Sequence, residues 1–233
     1  MQIFFLISIH ELAHILAAIL LRYPISEIVI YPFGLSMQVE QLEFRHSLDE
    51  MMIASAGLVS YLLSNPLLTL FLRLDLISQV NWQWMNQINQ SILLFNSLPI
   101  YPLDGGRIVH SLFHLWLPYQ KARIAVFCWS LVLLLCTAIY YVKRFDMLAV
   151  IYVFLFVQLA AAWKYRKAHA RNFYLFRYLH PFLARKKEHR HRDLLRNYQN
   201  LVQVNGKTIT EQEWLHHHVL EHQPATSSKS IFL

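Results

Sequence analysis

The chain has 233 residues, of which 56% are hydrophobic and only 15% charged, with five glycines and eight prolines. These values exclude a low-complexity or loop-rich chain, and apolar residues gathered in such long runs do not suit an ordinary soluble domain, so the class is an integral membrane protein. The net charge of +7 is uneven: residues 164–233 carry 13 Lys/Arg against 5 Asp/Glu, and residues 1–163 carry 8 against 9. The expected division is therefore a nearly neutral membrane domain, 1–163, and a basic tail, 164–233.

Met1–Leu21 is almost wholly apolar and, as a helix rising about 1.5 Å per residue, spans about 31 Å, enough to cross a bilayer core. It has no leading basic residue and no small-residue cleavage site, so it does not read as a signal peptide. Inside it lies His10-Glu11-Leu12-Ala13-His14. Positions four apart share a helix face, so His10 and His14 can hold one ion, and imidazole nitrogen suits zinc. Glu11, one residue on, can take a proton from a water activated there. The competing reading is a chance match with packed histidines. Against it, ionisable groups in an apolar span are costly and persist where they pair or work.

Arg22-Tyr23-Pro24 stops the first span. Ile28–Tyr31 and Leu35–Val39 read as two strands about a Pro32-Phe33-Gly34 turn, either tucked into the membrane interface or lying as a surface hairpin. Leu48–Leu72 is a second span with a small-residue face of Ala54, Ser55, Ala56, Gly57 and Ser60, which permits close helix approach. Asp75–Asn86 is expected to be a loop bearing the interfacial aromatics Trp82 and Trp84.

Gln87–Leu117 is apolar but interrupted by Asn96-Ser97-Leu98-Pro99-Ile100-Tyr101-Pro102-Leu103-Asp104-Gly105-Gly106. Two prolines and two glycines break a helix, and irregular backbone at membrane depth survives where it is buried in protein or lines a wet cavity. A two-histidine zinc site needs a third protein ligand and an open fourth position. Asp104, the acid of this broken segment, is the best candidate; its competing role is as cap of the helix beginning at Gly105. His110 and His114 form another pair four apart. Lacking an interposed Glu, they read as interfacial rather than as a second metal site.

Pro118–Arg123 is expected as a short basic loop. Ile124–Val142 and Met147–Trp163 are further spans about a Lys143–Asp146 turn, with Cys128 and Cys136 as buried thiols, too far apart along a helix to bridge. In the tail, residues up to Asn200 read as basic, aromatic helix near the membrane surface. Leu201–Ile209 reads as a hairpin about Asn205-Gly206. Thr210–Glu221 reads as a helix opened by a Thr210/Glu213 capping box. His216-His217-His218 reads as solvated tail. The Lys/Arg bias puts the tail in the cytoplasm and Met1 outside, an odd span count that hints at an absent upstream helix. The expected fold is thus an all-α polytopic membrane protein of about five transmembrane helices, one broken at the active site. A small membrane-associated β-hairpin and a short cytoplasmic α/β tail complete it.

The pair His10-Glu11-x-x-His14 and Asn96-x-x-Pro99-x-x-Pro102-Leu103-Asp104-Gly105 resembles the marks of the site-2 family of intramembrane zinc metalloproteases. The resemblance covers roughly residues 1–200. It implies one Zn2+ per chain on His10, His14 and Asp104, with Glu11 as general base and Asn96 near the metal, orienting the scissile peptide or its oxyanion. It also implies cleavage of a peptide bond within or beside the bilayer. The family's sporulation branch adds a membrane-associated pro-sigma factor as substrate, inhibitory membrane protein partners, and a place in the forespore membrane with the tail on the mother-cell side. No nucleic-acid partner is expected. Three features depart from the family. Ala56-Gly57-Leu58 stands where many members have A-G-P, the branch's first helix is missing, and its CBS-type domain survives as a remnant at Leu201–Glu221. The alternative from another class is a membrane metal-ion transporter using the same ligands as a transit site, which would need no base at Glu11. A soluble zincin is disfavoured by the apolar runs.

Overall fold

A computed structural model describes residues 2–31, 34–39, 41–141, 148–182, 184–189, 193–204 and 207–221. The first span is helix α1, Gln2–Leu20. It ends as the sequence dictates before Pro24, with Arg22 in the left-handed region at φ 59°. Tyr23 N donates to Ala18 O and Arg22 N to Ile19 O, a paired bonding that satisfies the last carbonyls of the helix. Strands β1 (Ile25–Tyr31) and β2 (Gly34–Val39) then pair antiparallel, as expected. The turn residues Pro32 and Phe33 lie outside the described residues.

A 3-10 turn, Leu42–Phe44, leads into α2, Ser47–Arg73. Helix α2 packs against α1. It ends by the same device as α1, with Asp75 at φ 54° and Leu76 N donating to Phe71 O. The expected loop over Asp75–Asn86 is shorter than that. Helix α3 already begins at Gln79, with Ser78 Oγ accepting from Asn81 N, so Trp82 and Trp84 sit on a helix. A Ser N-cap outweighs the weak apolar pattern of this stretch.

The interrupted segment breaks where its prolines and glycines require. Helix α3 runs Gln79–Ser97, the chain turns irregularly through 98–103, and α4 runs Asp104–Trp116. The Tyr101–Pro102 peptide is cis. The break is buried in protein: Ile100 and Leu103 pack with Leu134 and Leu155, and Tyr101 N donates to Ser130 Oγ at 3.0 Å. Helix α5 begins at Tyr119 rather than after Arg123, so the expected basic loop shrinks to a turn at 117–118. The tail supplies the cap that permits it, since Tyr119 N donates to Leu194 O and Gln120 N to Asp193 Oδ2. Cys128 and Cys136 are exposed on α5, not buried. In a lipid-facing helix an apolar residue is as stable pointing out as in. The turn Lys143–Asp146 lies outside the described residues.

Helix α6, Leu148–Leu179, runs from the segment expected as the last span straight on into the basic tail and, among the described residues, is not one of the helices long and apolar enough to cross a membrane. The tail helix expected to reach Asn200 stops at Leu179, just before His180-Pro181. A three-stranded sheet follows. Strands β3 (Lys186–His189) and β4 (Gln199–Val204) are parallel, and β4 and β5 (Lys207–Thr210) form the expected hairpin. Its Asn205-Gly206 turn lies outside the described residues. Helix α7, Glu211–Glu221, opens with the expected capping box: Thr210 N donates to Glu213 Oε2 at 2.9 Å and Glu213 N to Thr210 Oγ1 at 3.3 Å. His216 and His217 are exposed, as a solvated stretch requires. Among the described residues, α1, α2 and residues 119–138 of α5 are long and apolar enough to cross a membrane.

Candidate metal centre

Three elements bring the site together. Helix α1 stacks His10 and His14 on its buried face, with their rings edge to face at 4.8 Å. Helix α4 begins at Asp104, whose carboxylate projects back toward α1. His10 Nε2 lies 3.0 Å and His14 Nε2 3.2 Å from Asp104 Oδ2, and the two nitrogens are 3.3 Å apart. All three residues are buried.

The proton count on these atoms is informative. His14 Nδ1 stands 2.7 Å from the carbonyl oxygen of Ile53, which can only accept, so Nδ1 carries the hydrogen and, when the ring is neutral, Nε2 presents its lone pair. Asp104 Oδ2 is buried and meets no donor along a hydrogen-bond direction, although both imidazoles are close. Acceptors therefore converge on a common point, which a cation would satisfy. A tetrahedral ion with bonds of about 2.0–2.1 Å spaces its ligand atoms about 3.3–3.4 Å apart, close to the triangle seen here. The donor set and spacing fit zinc.

Glu11 belongs to the same cluster, its carboxylate within 4.8 Å of the ligand atoms of His10 and His14. It is half-buried, whereas Asp104 is tighter in and buried. Asp104 Oδ2, at 3.0 and 3.2 Å, lies within contact of both imidazoles, and Glu11 stands beside them. The competing role of Asp104 as a cap is not what is seen: the N-cap position of α4 is Leu103, and Asp104 is the first helical residue. On the last turn of α3, the Asn96 amide nitrogen donates to Ile92 O of its own helix at 3.0 Å.

Glycines set how closely the elements approach. A Cβ built on Gly57 of α2 would lie 2.3 Å from the His14 ring and 2.7 Å from that of His10. One on Gly105 would meet Ser97 O at 2.3 Å, and one on Gly106 would meet the backbone of Ile100 at 2.4 Å. The α2 backbone is thus pressed on the imidazoles, and α4 on the end of α3. The small-residue face of α2 is visible in the sequence. That Gly57 meets the histidines, and that the Ile53 carbonyl fixes the His14 tautomer, is not.

Near this cluster lies a second polar layer. His110 and His114 are buried in protein, with rings edge to face at 4.5 Å and Nε2 atoms 3.1 Å apart. His110 Nδ1 sits 3.2 Å from Glu50 Oε1, so a buried acid on α2, not visible as a partner from spacing, draws the pair inward. Next to it Glu43, in the 3-10 turn, takes Arg123 at 3.0 Å, His169 at 3.4 Å and the Tyr101 hydroxyl at 3.4 Å. Burial pushes the Glu43 carboxyl up, but the His169 hydrogen bond and the Arg123 charge prevail and hold it well below the usual carboxylate range.

Known proteins match this chain in sequence and in fold. Residues 73–137, which hold the break and Asp104, match the model of Peptidase family M50. The chain is 31% identical over 176 residues, 74% of its length, to Stage IV sporulation protein FB of Bacillus subtilis (strain 168), and spans 61% of that relative's length. It is similar in fold to the Site-2 Protease from Methanocaldococcus jannaschii, with a TM-score of 0.54 at 19% identity, over 69% of this chain and 75% of that one. The chain is an integral membrane protein whose broken segment matches Peptidase family M50 and whose fold is like that of the Site-2 Protease from Methanocaldococcus jannaschii.

Proposed function

We propose that this chain is an intramembrane zinc metalloprotease that hydrolyses a peptide bond of a membrane-associated protein within or beside the bilayer. The observation that carries the reading is the convergence of His10 Nε2, His14 Nε2 and Asp104 Oδ2 within 3.3 Å of one another, all three residues buried. In this reading these three residues hold one zinc ion. When bound, zinc supplies Lewis acidity that polarises the scissile carbonyl and acidifies the attacking water. Glu11 takes the proton of that water and delivers it to the leaving amide nitrogen. The Ile53 carbonyl keeps His14 in the tautomer that presents Nε2. Asn96 sits on the α3 side of the break, where rotation of its side chain away from Ile92 O would offer the amide to a substrate carbonyl. An extended substrate would pair with the β1–β2 hairpin, since a helical peptide bond is shielded from attack.

The likeness to a sporulation protein supports a role in sporulation, and the finer part of the proposal is a pro-sigma factor as substrate, inhibitory membrane proteins as partners, and a forespore membrane location. Residues 1–163 would form the protease unit, and residues 164–233 would be a cytoplasmic tail with a CBS-like remnant. The M50 match is to a peptidase family, and nothing in the comparisons supports the metal-transit alternative.

Metal analysis tests the centre. Wild-type protein purified in detergent should hold about one zinc per chain, and Asp104→Asn should lose most of it, because a neutral amide is a poorer ligand than a carboxylate. Unchanged zinc content and affinity in the variant would remove Asp104 from the ligand set.

A further inference from the structure

The basic tail reads from its sequence as a helix near the membrane surface, but it does something more specific. Between the parallel strands β3 and β4, the turn at residues 193–197 enters the end of the helical bundle and satisfies the ends of three helices. Asp193 and Leu194 cap the start of α5. Asn197 Oδ1 accepts from Ser47 N at the start of α2 at 2.8 Å. The Asn197 amide nitrogen donates to Ser47 Oγ at 2.7 Å and to His114 O near the end of α4 at 3.2 Å. One side chain thus ties α2 to α4.

Arg196 adds the charge. It is fully buried and donates from Nη1 to Glu50 Oε2 at 2.5 Å, from Nε to Arg45 O at 2.7 Å and from Nη2 to Leu42 O at 2.6 Å. The other oxygen of Glu50 faces His110 of α4, so the guanidinium completes a second α2–α4 link. The turn is held in shape from behind. Arg177, itself ion-paired to Glu211, donates to the carbonyls of Arg196 and Tyr198, and Asn200 brackets Leu195 through both its carbonyl and its amide.

The two helices so tied are the ones that locate the metal-binding atoms. Helix α4 starts at Asp104, and α2 presents the Ile53 carbonyl and Gly57 to the histidines of α1. Between helices in lipid, apolar contact does little to fix register, because hydrocarbon competes for the same surfaces; polar links and close packing fix it. We propose that the turn 193–197 is a clasp that sets the α2–α4 register, with Arg196 and Asn197 as positioning residues for the His10–His14–Asp104 centre. This rests on the metal-centre reading above for its consequence, but not for its geometry.

Two measurements on the full chain, with Cys128 and Cys136 replaced by serine, separate the two. Spin labels at the exposed positions 48 of α2 and 116 of α4 report the register as a distance distribution. Zinc affinity and the visible spectrum of the Co2+-loaded protein report the centre. Arg196→Ala and Asn197→Ala should broaden or shift the distance, alter the Co2+ spectrum and weaken zinc binding by about 10–100-fold, the usual loss when support behind a ligand is removed. Arg196→Lys, which keeps the charge but cannot serve both carbonyls and Glu50, should fall between. Lys186→Ala, on exposed β3, should match wild type. Circular dichroism confirms that each variant retains its helix content. An unchanged distance in both alanine variants overturns the clasp. A changed distance with wild-type zinc affinity and Co2+ spectrum overturns the positioning role. Failure of the wild type to bind either metal would overturn the metal-centre reading instead, while the distance still judges the clasp.

Discussion

At the scale of single residues, the site is defined by what small groups allow and what buried acceptors demand. Gly57 is the sharpest steric point. Any Cβ there would stand 2.3 Å from the His14 ring, and the ring cannot retreat without giving up the 2.7 Å bond to Ile53 O. Gly57→Ala should therefore cost about 1–3 kcal/mol by overpacking and displace a ligand, so zinc affinity should fall along with thermal stability. A variant that binds zinc as tightly as wild type would show that α2 can yield there. The residues with chemical character were legible from sequence alone: His10, Glu11, His14 and Asp104 each stand out as ionisable groups in apolar surroundings. Gly57 and the Ile53 carbonyl were not, because a glycine on a small-residue face and a backbone oxygen carry no sign of their neighbour. The surroundings of His110 and His114 were not legible for a related reason. Helical spacing showed that they face the same way, but not that Glu50 lies opposite.

At the scale of elements, the broken segment is the informative one. Its prolines and glycines foretell the break between α3 and α4, and Gly105 and Gly106 explain how α4 restarts hard against the chain it has just left. Asn96 sits on the α3 lip of that break. If its amide helps hold the reacting carbonyl, Asn96→Ala should lower turnover by about 10²–10³ with zinc content unchanged. Wild-type turnover in that variant would leave Asn96 as a helix-end residue bonded to Ile92 O. Boundaries elsewhere were less legible, and the reasons differ. Helix α5 starts early because Asp193 and Leu194 cap it from far along the chain. Strand β3, Lys186-Lys187-Glu188-His189, has no apolar alternation, and its existence depends on a parallel partner, β4.

At the scale of the whole molecule, the long apolar helices and the fold of a site-2 protease were readable from composition and two motifs. The docking of the tail onto the bundle was not, because charge bias points only to a side of the membrane and a buried arginine such as Arg196 looks in sequence like any other basic residue. Orientation remains a matter of charge, and accessibility tests it. A cysteine at Gln79 should react with an impermeant thiol reagent in intact cells, and one at Lys186 only after the membrane is opened, both in a Cys128/Cys136-free background. The reverse pattern would turn the protein over and remove a cytoplasmic substrate. The most direct test of the whole reading is cleavage itself. A membrane-associated pro-sigma factor should be co-expressed with the wild-type chain and with Glu11→Gln, which retains side-chain shape and the three metal-binding atoms but removes the proton acceptor. Processing by the wild type and its loss in a variant that still carries zinc is the expected result. Equal processing by both would contradict the role of Glu11 and the metalloprotease chemistry built on it.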